Sequence, residues 1–357
     1  MNRRVGIITF HYSYNYGSVL QAYALKRLLE LKGNDVSVIN FIFAKDFKQY
    51  KPIRSYTNLK LLIKDVIAFK ARYKRKINFI NFQKKFLNLT KEYHNCNDMK
   101  ELNQVFDIFV CGSDQIWNLD CTDGIEPAYF LKFANADKLK IAYAPSLAHQ
   151  AFVKTYDDDL RDAIKEFDYL SIREKSTLPL IQPLTSKKIE IVLDPVLLLS
   201  ANEYELIIQK KQQDNQYIFV YMLDYDEKLV KYSQMISAKM DRPLVYITGE
   251  YFCNISGKNL FGISPSDFLE YIKNAEYVIT NSFHATVLSI IFEKKFITFS
   301  TKYSNSRVMD LLKSLGLLER IYHKNINIER KIDYIEVNSK LSDLRKKSLN
   351  FLNQALS

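Results

Sequence analysis

Cysteine is scarce in this chain. There are four in 357 residues (Cys96, Cys111, Cys121 and Cys253), with no C-x-x-C pair and no metal-ligand spacing against the five histidines. That pattern argues against a disulfide scaffold and for reduced thiols in a cytoplasmic protein without a bound metal. Glycine is also sparse, at 9 residues, so each one is expected where the backbone needs it. No stretch reaches the ~18–20 apolar residues that a membrane-spanning helix requires. The apolar run after Arg3 and Arg4 stops at His11, too short for a secretory signal and without a small-residue cleavage site. G-x-G-x-x-G, G-x-S-x-G, P-loop and H-E-x-x-H patterns are all missing, which removes most support for dinucleotide, esterase, nucleotide-triphosphate and zinc-protease readings.

What is present is an ordinary globular composition, 47% hydrophobic and 25% charged, with 24 Tyr and 23 Phe. The length suits about two domains, each able to bury its own core. Short apolar runs alternate with helical periodicity. Val5–Phe10, a polar Gly-containing turn, a helix closed by Gly33 and Val36–Phe43 make one β-α-β unit with a right-handed crossover. Further strands are expected at Phe106–Cys111, Lys140–Ala144, Tyr169–Arg173 and Ile189–Leu193. After Asp194-Pro195, a plausible hinge, the alternation begins again with strands at Tyr217–Leu223, Leu244–Ile247, Tyr277–Thr280 and Phe296–Phe299. The expected fold is α/β: two doubly wound parallel-sheet domains facing across a cleft, residues 1–197 and 198–357, ending in a helix.

In such sheets ligands sit beyond the carboxyl ends of the strands, which singles out particular loops. Asn15, Tyr16, Gly17 and Ser18 precede a helix N-terminus that suits an anion, or a plain N-cap. Ser113, Asp114, Gln115 and Trp117 follow a strand directly and combine a carboxylate, an amide, a hydroxyl and the only Trp, a mix suited to a sugar acceptor. An ordinary strand-to-helix turn is the plainer alternative. Arg173 at a strand end could grip a carboxylate or phosphate, or form a structural ion pair. Ser282 and His284 lie between a strand and an apolar helix, where a histidine serves either as a helix-end partner or as an acid–base group. Lys302 and Arg307 could complete a phosphate site, although Arg307 could equally be a solvated helix residue.

The ordered segments ITFHYSYNYGSVLQAYAL, FVCGSDQIWN, YAPSLA, LSIREKST, VLDPVLLL, ISPSDFLEYIKNAEYVITNSFHATVLSIIF and YSNSRVMDLL resemble the polysaccharide pyruvyl transferases over nearly the whole chain. That resemblance implies a GT-B-like fold and transfer of pyruvate from phosphoenolpyruvate onto a sugar as a cyclic ketal, in capsule, exopolysaccharide or cell-wall glycan synthesis. It implies no cofactor beyond phosphoenolpyruvate as donor substrate. By position His284 matches the family's site histidine and Arg173 an arginine associated with the donor. Some members carry an arginine where this chain has Ser282, and many a glycine at Ala285; Lys302 or Arg307 would then substitute for the missing cation. His284 is thus the expected acid–base group, with Asp114 orienting or deprotonating an acceptor hydroxyl. Donor binding falls to Arg173, Lys302, Arg307 and Ser282, and acceptor binding to Asn15, Tyr16, Ser113, Gln115 and Trp117. A nucleotide-sugar glycosyltransferase of the same shape and a non-catalytic glycan-binding protein are the rival readings.

The net charge of +11 sits in one place. Residues 41–90 hold 13 Lys and Arg against Asp46 and Asp65, and the rest of the chain balances at 38 against 38. Interleaved with Phe, Leu and Ile, these cations suit the anionic inner face of a plasma membrane, where a lipid-linked acceptor is presented. A solvated helical pair is the plainer reading, and no nucleic-acid partner is expected.

Overall fold

A computed structural model describes residues 2–43, 51–147, 157–209, 216–300, 305–323 and 329–357. These residues form two compact units, each built on an all-parallel sheet. The first unit holds seven strands: β1 (Arg4–Ile8), β2 (Asp35–Phe41), β3 (Leu89–Tyr93), β4 (Ile108–Cys111), β5 (Leu139–Ala142), β6 (Tyr169–Ile172) and β7 (Ile189–Ile191). Their order is β3-β2-β1-β4-β5-β6-β7. The second holds β8 (Ile218–Met222), β9 (Leu244–Thr248), β10 (Lys258–Asn259), β11 (Tyr277–Thr280) and β12 (Lys295–Thr298), ordered β10-β9-β8-β11-β12. The expected fold class is therefore observed: two doubly wound parallel-sheet domains of the GT-B kind and a C-terminal helix, Tyr334–Leu356.

The central strands are apolar because both faces of a parallel sheet are covered. All four residues of β4, all five of β8 and all four of β11 are buried. The helix Tyr16–Leu31 starts where the Asn15 side chain accepts from the Gly17 amide, 2.9 Å away, and ends before Gly33, whose φ of +81° a side chain would oppose. Pro265–Asn274 begins with a full capping box: the Ser264 hydroxyl accepts from the Asp267 amide (3.1 Å), and the Asp267 carboxylate accepts from the Ser264 amide (3.2 Å). The core of the first unit centres on Phe41, Phe109, Trp117, Tyr129 and Phe130. That of the second centres on Val220, Tyr232, Ile279 and Phe299.

The two units are not contiguous in sequence. Residues 49–82 group with the second unit, and Leu341–Ser357 group with the first. Much of the basic segment therefore belongs to the domain later in sequence. Its attachment is specific. Arg54 makes a bidentate pair with the buried Asp65 (2.7 and 3.0 Å) and reaches Glu250 (2.6 Å), while the Asn78 amide donates to the Gly262 carbonyl (2.7 Å). The returning C-terminal helix is tied down by the Leu193 amide donating to Ser348 Oγ (2.9 Å) and by Arg345 donating to the Leu197 carbonyl (2.5 Å).

No described helix is long and apolar enough to cross a membrane.

Candidate active site

In the first sheet the strand order reverses between β1 and β4, and in the second between β8 and β11. At such a switch point the loops leaving the two strands part to opposite faces and open a crevice for ligand. The loops at these two places are those carrying Asn15–Ser18, Ser113–Trp117 and Ser282–His284.

In the first unit the two loops are knitted together by Gln21, a fully buried polar residue of the helix Tyr16–Leu31. Its amide donates to Thr9 Oγ (2.9 Å) and to the Ser18 carbonyl (2.9 Å), and its oxygen accepts from the Ser113 amide (3.2 Å). The backbone closes tightly after β4. Gly112 has φ +114°, and a Cβ there would sit 2.0 Å from the Tyr143 carbonyl oxygen, so only glycine fits. Asp114 follows with φ +68°, and its carboxylate accepts from Ser18 Oγ at 2.7 Å.

Arg173 reaches this loop from the end of β6. Its guanidinium donates to Ser113 Oγ (2.8 Å), lies 3.1 Å from the Asp194 carboxylate and 4.0 Å from that of Asp114. Ser113 Oγ in turn donates to the Ala144 carbonyl (3.0 Å). Glu174 is buried beside this cluster, hydrogen-bonded to Ser146 Oγ. The structure thus brings Ser113, Asp114 and Arg173 together with Ser18 of the candidate anion loop, and it adds Gln21, Asp194 and Glu174, which the sequence does not single out as site residues. By sequence, Asp194 reads only as half of a hinge. A carboxylate ending a strand, in the same sheet as an arginine ending its neighbour, was the signal available for that pair.

The remaining first-unit candidates are placed differently. Asn15 is the helix cap described above, and Tyr16 is buried. Gln115 accepts from Asn118 Nδ2 at 2.9 Å. Trp117 is 1% exposed, stacked on Phe130 with centroids 5.0 Å apart, and its indole N–H donates to the Tyr129 carbonyl (3.2 Å). With a face covered and its donor used, Trp117 is a core residue rather than a platform for a sugar ring.

In the second unit Asn281 plays the part of Gln21. Its oxygen accepts from the Leu223 amide (2.8 Å) and its amide donates to the Asp224 carbonyl (2.7 Å), fixing the loop after β11 against the loop after β8. Ser282 caps the helix Phe283–Ile291, and its carbonyl accepts from Thr286 Oγ (2.9 Å). His284 lies in the first turn of that helix, 7% exposed, edge-on to the Phe283 ring (5.3 Å). The Arg307 guanidinium lies 5.7 Å from the centroid of the same ring, within cation–π range. Ser282, His284 and Arg307 thus share one corner of this unit, and Arg307 is buried rather than solvated. Lys302 lies outside the described residues.

One further histidine has a structural consequence. His11 is fully buried, its ring nitrogens 3.1 Å from the Thr9 carbonyl and 3.0 Å from Asn40 Oδ1. Burial lowers its pKa from 6.5, against the opposing pull of the bonds to Asn40 and Thr9. The folded chain therefore binds this proton less readily than the unfolded chain. The associated stability is complete above about pH 6.5 and is lost as pH falls below it, by up to ~1.4 kcal/mol per pH unit. Urea midpoints measured between about pH 5 and 7 should show that slope, and His11→Gln should flatten it.

Two doubly wound parallel units, each with polar loops at its switch point, define a two-domain α/β protein of the GT-B kind. A family model described as polysaccharide pyruvyl transferase matches residues 15–303. The chain belongs to that family, and its class is that of the transferases. No curated protein matches it. Among solved structures it is similar to a protein assigned as a UDP-N-acetylglucosamine 2-epimerase from Listeria monocytogenes (TM-score 0.53, 10% identity, covering 99% of this chain and 91% of that one). The UDP-GlcNAc 2-epimerase of Methanocaldococcus jannaschii gives a TM-score of 0.48 at 13% identity, over 97% and 93% of the two chains. At such identities the likeness is one of fold alone.

Proposed function

We propose that this chain transfers the pyruvyl group of phosphoenolpyruvate onto two hydroxyls of a sugar, forming a cyclic ketal during synthesis of a capsular, exo- or cell-wall polysaccharide. The observation that carries the reading, beside family membership, is the position of His284. It stands in the first helical turn after β11, at the reversal of strand order, with Ser282 and Arg307 around it.

The acid–base group, His284, protonates the methylene carbon of phosphoenolpyruvate, leaving a cationic centre at the neighbouring carbon. One sugar hydroxyl bonds to that carbon and gives up its proton, a step in which Asp114 orients or deprotonates the hydroxyl. A second hydroxyl then attacks the same carbon, the carbon–oxygen bond to phosphate breaks, and the proton of that hydroxyl leaves with the departing phosphate as the ketal closes. Cations must hold the donor's carboxylate and phosphate. Arg307 and Lys302, with Ser282, serve this purpose in the proposal, as does Arg173 insofar as its ties to Asp194 and Ser113 allow. Asn15, Tyr16, Ser113 and Gln115 are the acceptor-side candidates.

Purified chain incubated with phosphoenolpyruvate and a panel of lipid-linked sugars should release inorganic phosphate and add one pyruvyl mass to an acceptor. Release of a nucleoside diphosphate from nucleotide sugars, with phosphoenolpyruvate untouched, would replace this reading with a glycosyltransferase. Glycan binding without release of either product would leave a non-catalytic binding protein.

A further inference from the structure

The helices Leu59–Ile67 and Phe69–Phe86, grouped with the second unit as far as Phe82, show the same surface pattern twice. On the first, Leu59, Ile63, Val66 and Ile67 fall at i, i+4, i+7 and i+8, one stripe of a helix. On the second, Phe69 and Tyr73 repeat the i, i+4 spacing, their rings stacked 6.1 Å apart. These six apolar side chains are 42–69% exposed. An apolar stripe normally faces the core. Here it is the opposite side, with Asp65, Ala68 and Arg72, that is buried.

Along one edge of each stripe run exposed lysines, Lys60 and Lys64 on the first helix and Lys70 and Lys74 on the second. The acidic residue on these helices, Asp65, faces inward, held by Arg54 at 2.7 Å and near Arg72 at 3.7 Å. Burial acts to raise its pKa, yet the bonds from Arg54 outweigh that effect and keep it ionised. The outward face therefore pairs apolar side chains with positive charge and offers no carboxylate.

We propose that this stripe is a docking surface for an anionic lipid bilayer, with the apolar residues entering the headgroup–acyl boundary and the lysines meeting lipid phosphates. Charge complementarity selects this occupant. A second copy of the chain packed on the same face would bring lysine against lysine with nothing to offset them, whereas an anionic bilayer supplies the missing counter-charge. The proposal confines the membrane contact expected of residues 41–90 to one face of two helices. The inference is independent of which donor the enzyme uses, and its test reads binding alone.

The test is co-sedimentation of the full chain with phosphatidylcholine vesicles, with and without phosphatidylglycerol, at low salt. Wild type should pellet with the anionic vesicles only. Two variants, Ile63→Glu with Ile67→Glu, and Lys60→Glu with Lys64→Glu, Lys70→Glu and Lys74→Glu, should each lower the bound fraction by about tenfold or more. Their thermal midpoints should stay near wild type, since every altered side chain is exposed. Wild type remaining in the supernatant, equal pelleting with uncharged vesicles, or unaltered pelleting of either variant would overturn the proposal. So would a wild-type dimer in light scattering that Ile63→Glu with Ile67→Glu dissociates, which would make a second copy the occupant.

Discussion

Replacing Arg173 with methionine is expected to destabilise the first unit by about 3–5 kcal/mol. The guanidinium lies 3.1 Å from Asp194 and donates to Ser113, with Asp114 4.0 Å away, all of them buried. Removing the cation takes a 3.1 Å ionic partner from the buried Asp194 carboxylate, and that penalty exceeds anything the ion pair contributes as a pair. Asp194 also caps the next turn, accepting from the Val196 amide at 2.9 Å, so its displacement would spread into the Pro195–Leu197 turn packed on the helix Tyr16–Leu31. The double variant Arg173→Met with Asp194→Leu should recover much of the loss, because it removes the carboxylate nearest the cation together with the cation. Urea unfolding of the single and double variants measures both. A cost below about 1 kcal/mol for Arg173→Met would mean that the cluster is solvated and the ion pair inconsequential. The double variant also separates structure from chemistry. If the fold returns and phosphate release does not, Arg173 contacts donor in the reaction; if both return, its task is to hold the loop after β4.

The alternation of apolar runs and helical periodicity was enough to specify two doubly wound sheets. A strand buried on both faces must be apolar throughout, and β1, β4, β8 and β11 are so nearly that their boundaries fall within a few residues of the expected ones. Two strands went unnoticed for the same physical reason. Both β3 (LTKEY) and β10 (KN) are sheet edges, β10 exposed and β3 largely half-buried or exposed, with no apolar run to mark them. The loops at the switch points were legible because their place follows from strand order alone. Within them residue type misled once. Trp117 sits in a polar loop by sequence, yet it points into the core against Phe130 and Tyr129, since a large ring gains more from full burial than from a solvated turn. Asp194 was obscured by its neighbour, because Asp-Pro reads locally as punctuation while the pairing with Arg173 is a contact between strand ends far apart in sequence. The grouping of residues 49–82 with the second unit was invisible for a similar reason. It rests on a few long-range contacts such as Arg54–Glu250 and Asn78–Gly262, which leave no periodic trace.

Replacing His284 with alanine should lower pyruvyl transfer by about 10²–10⁴-fold, the usual worth of a positioned acid–base group, while leaving the fold intact. The loop that presents it is held by its neighbours. Asn281 bonds the backbone after β8, Ser282 supplies the cap, and Thr286 Oγ donates to the Ser282 carbonyl and lies 3.0 Å from Thr298 Oγ. Alanine is the best helix former, so the first turn of Phe283–Ile291 should persist, and the stability change should remain within about 1 kcal/mol apart from the packing lost at the Phe283 ring. Phosphate release from phosphoenolpyruvate, followed against pH, is the measurement. The variant should lose one limb of the pH–rate profile as well as its rate, which mere loosening of the turn would not produce. Asn281→Ala provides the contrast. It removes two bonds between the loops after β8 and β11 without touching an acid–base group, so it should reduce stability and rate together and keep the shape of the profile. If His284→Ala turns over near the wild-type rate, the proton must come from elsewhere, and Asp114 becomes the group to replace next.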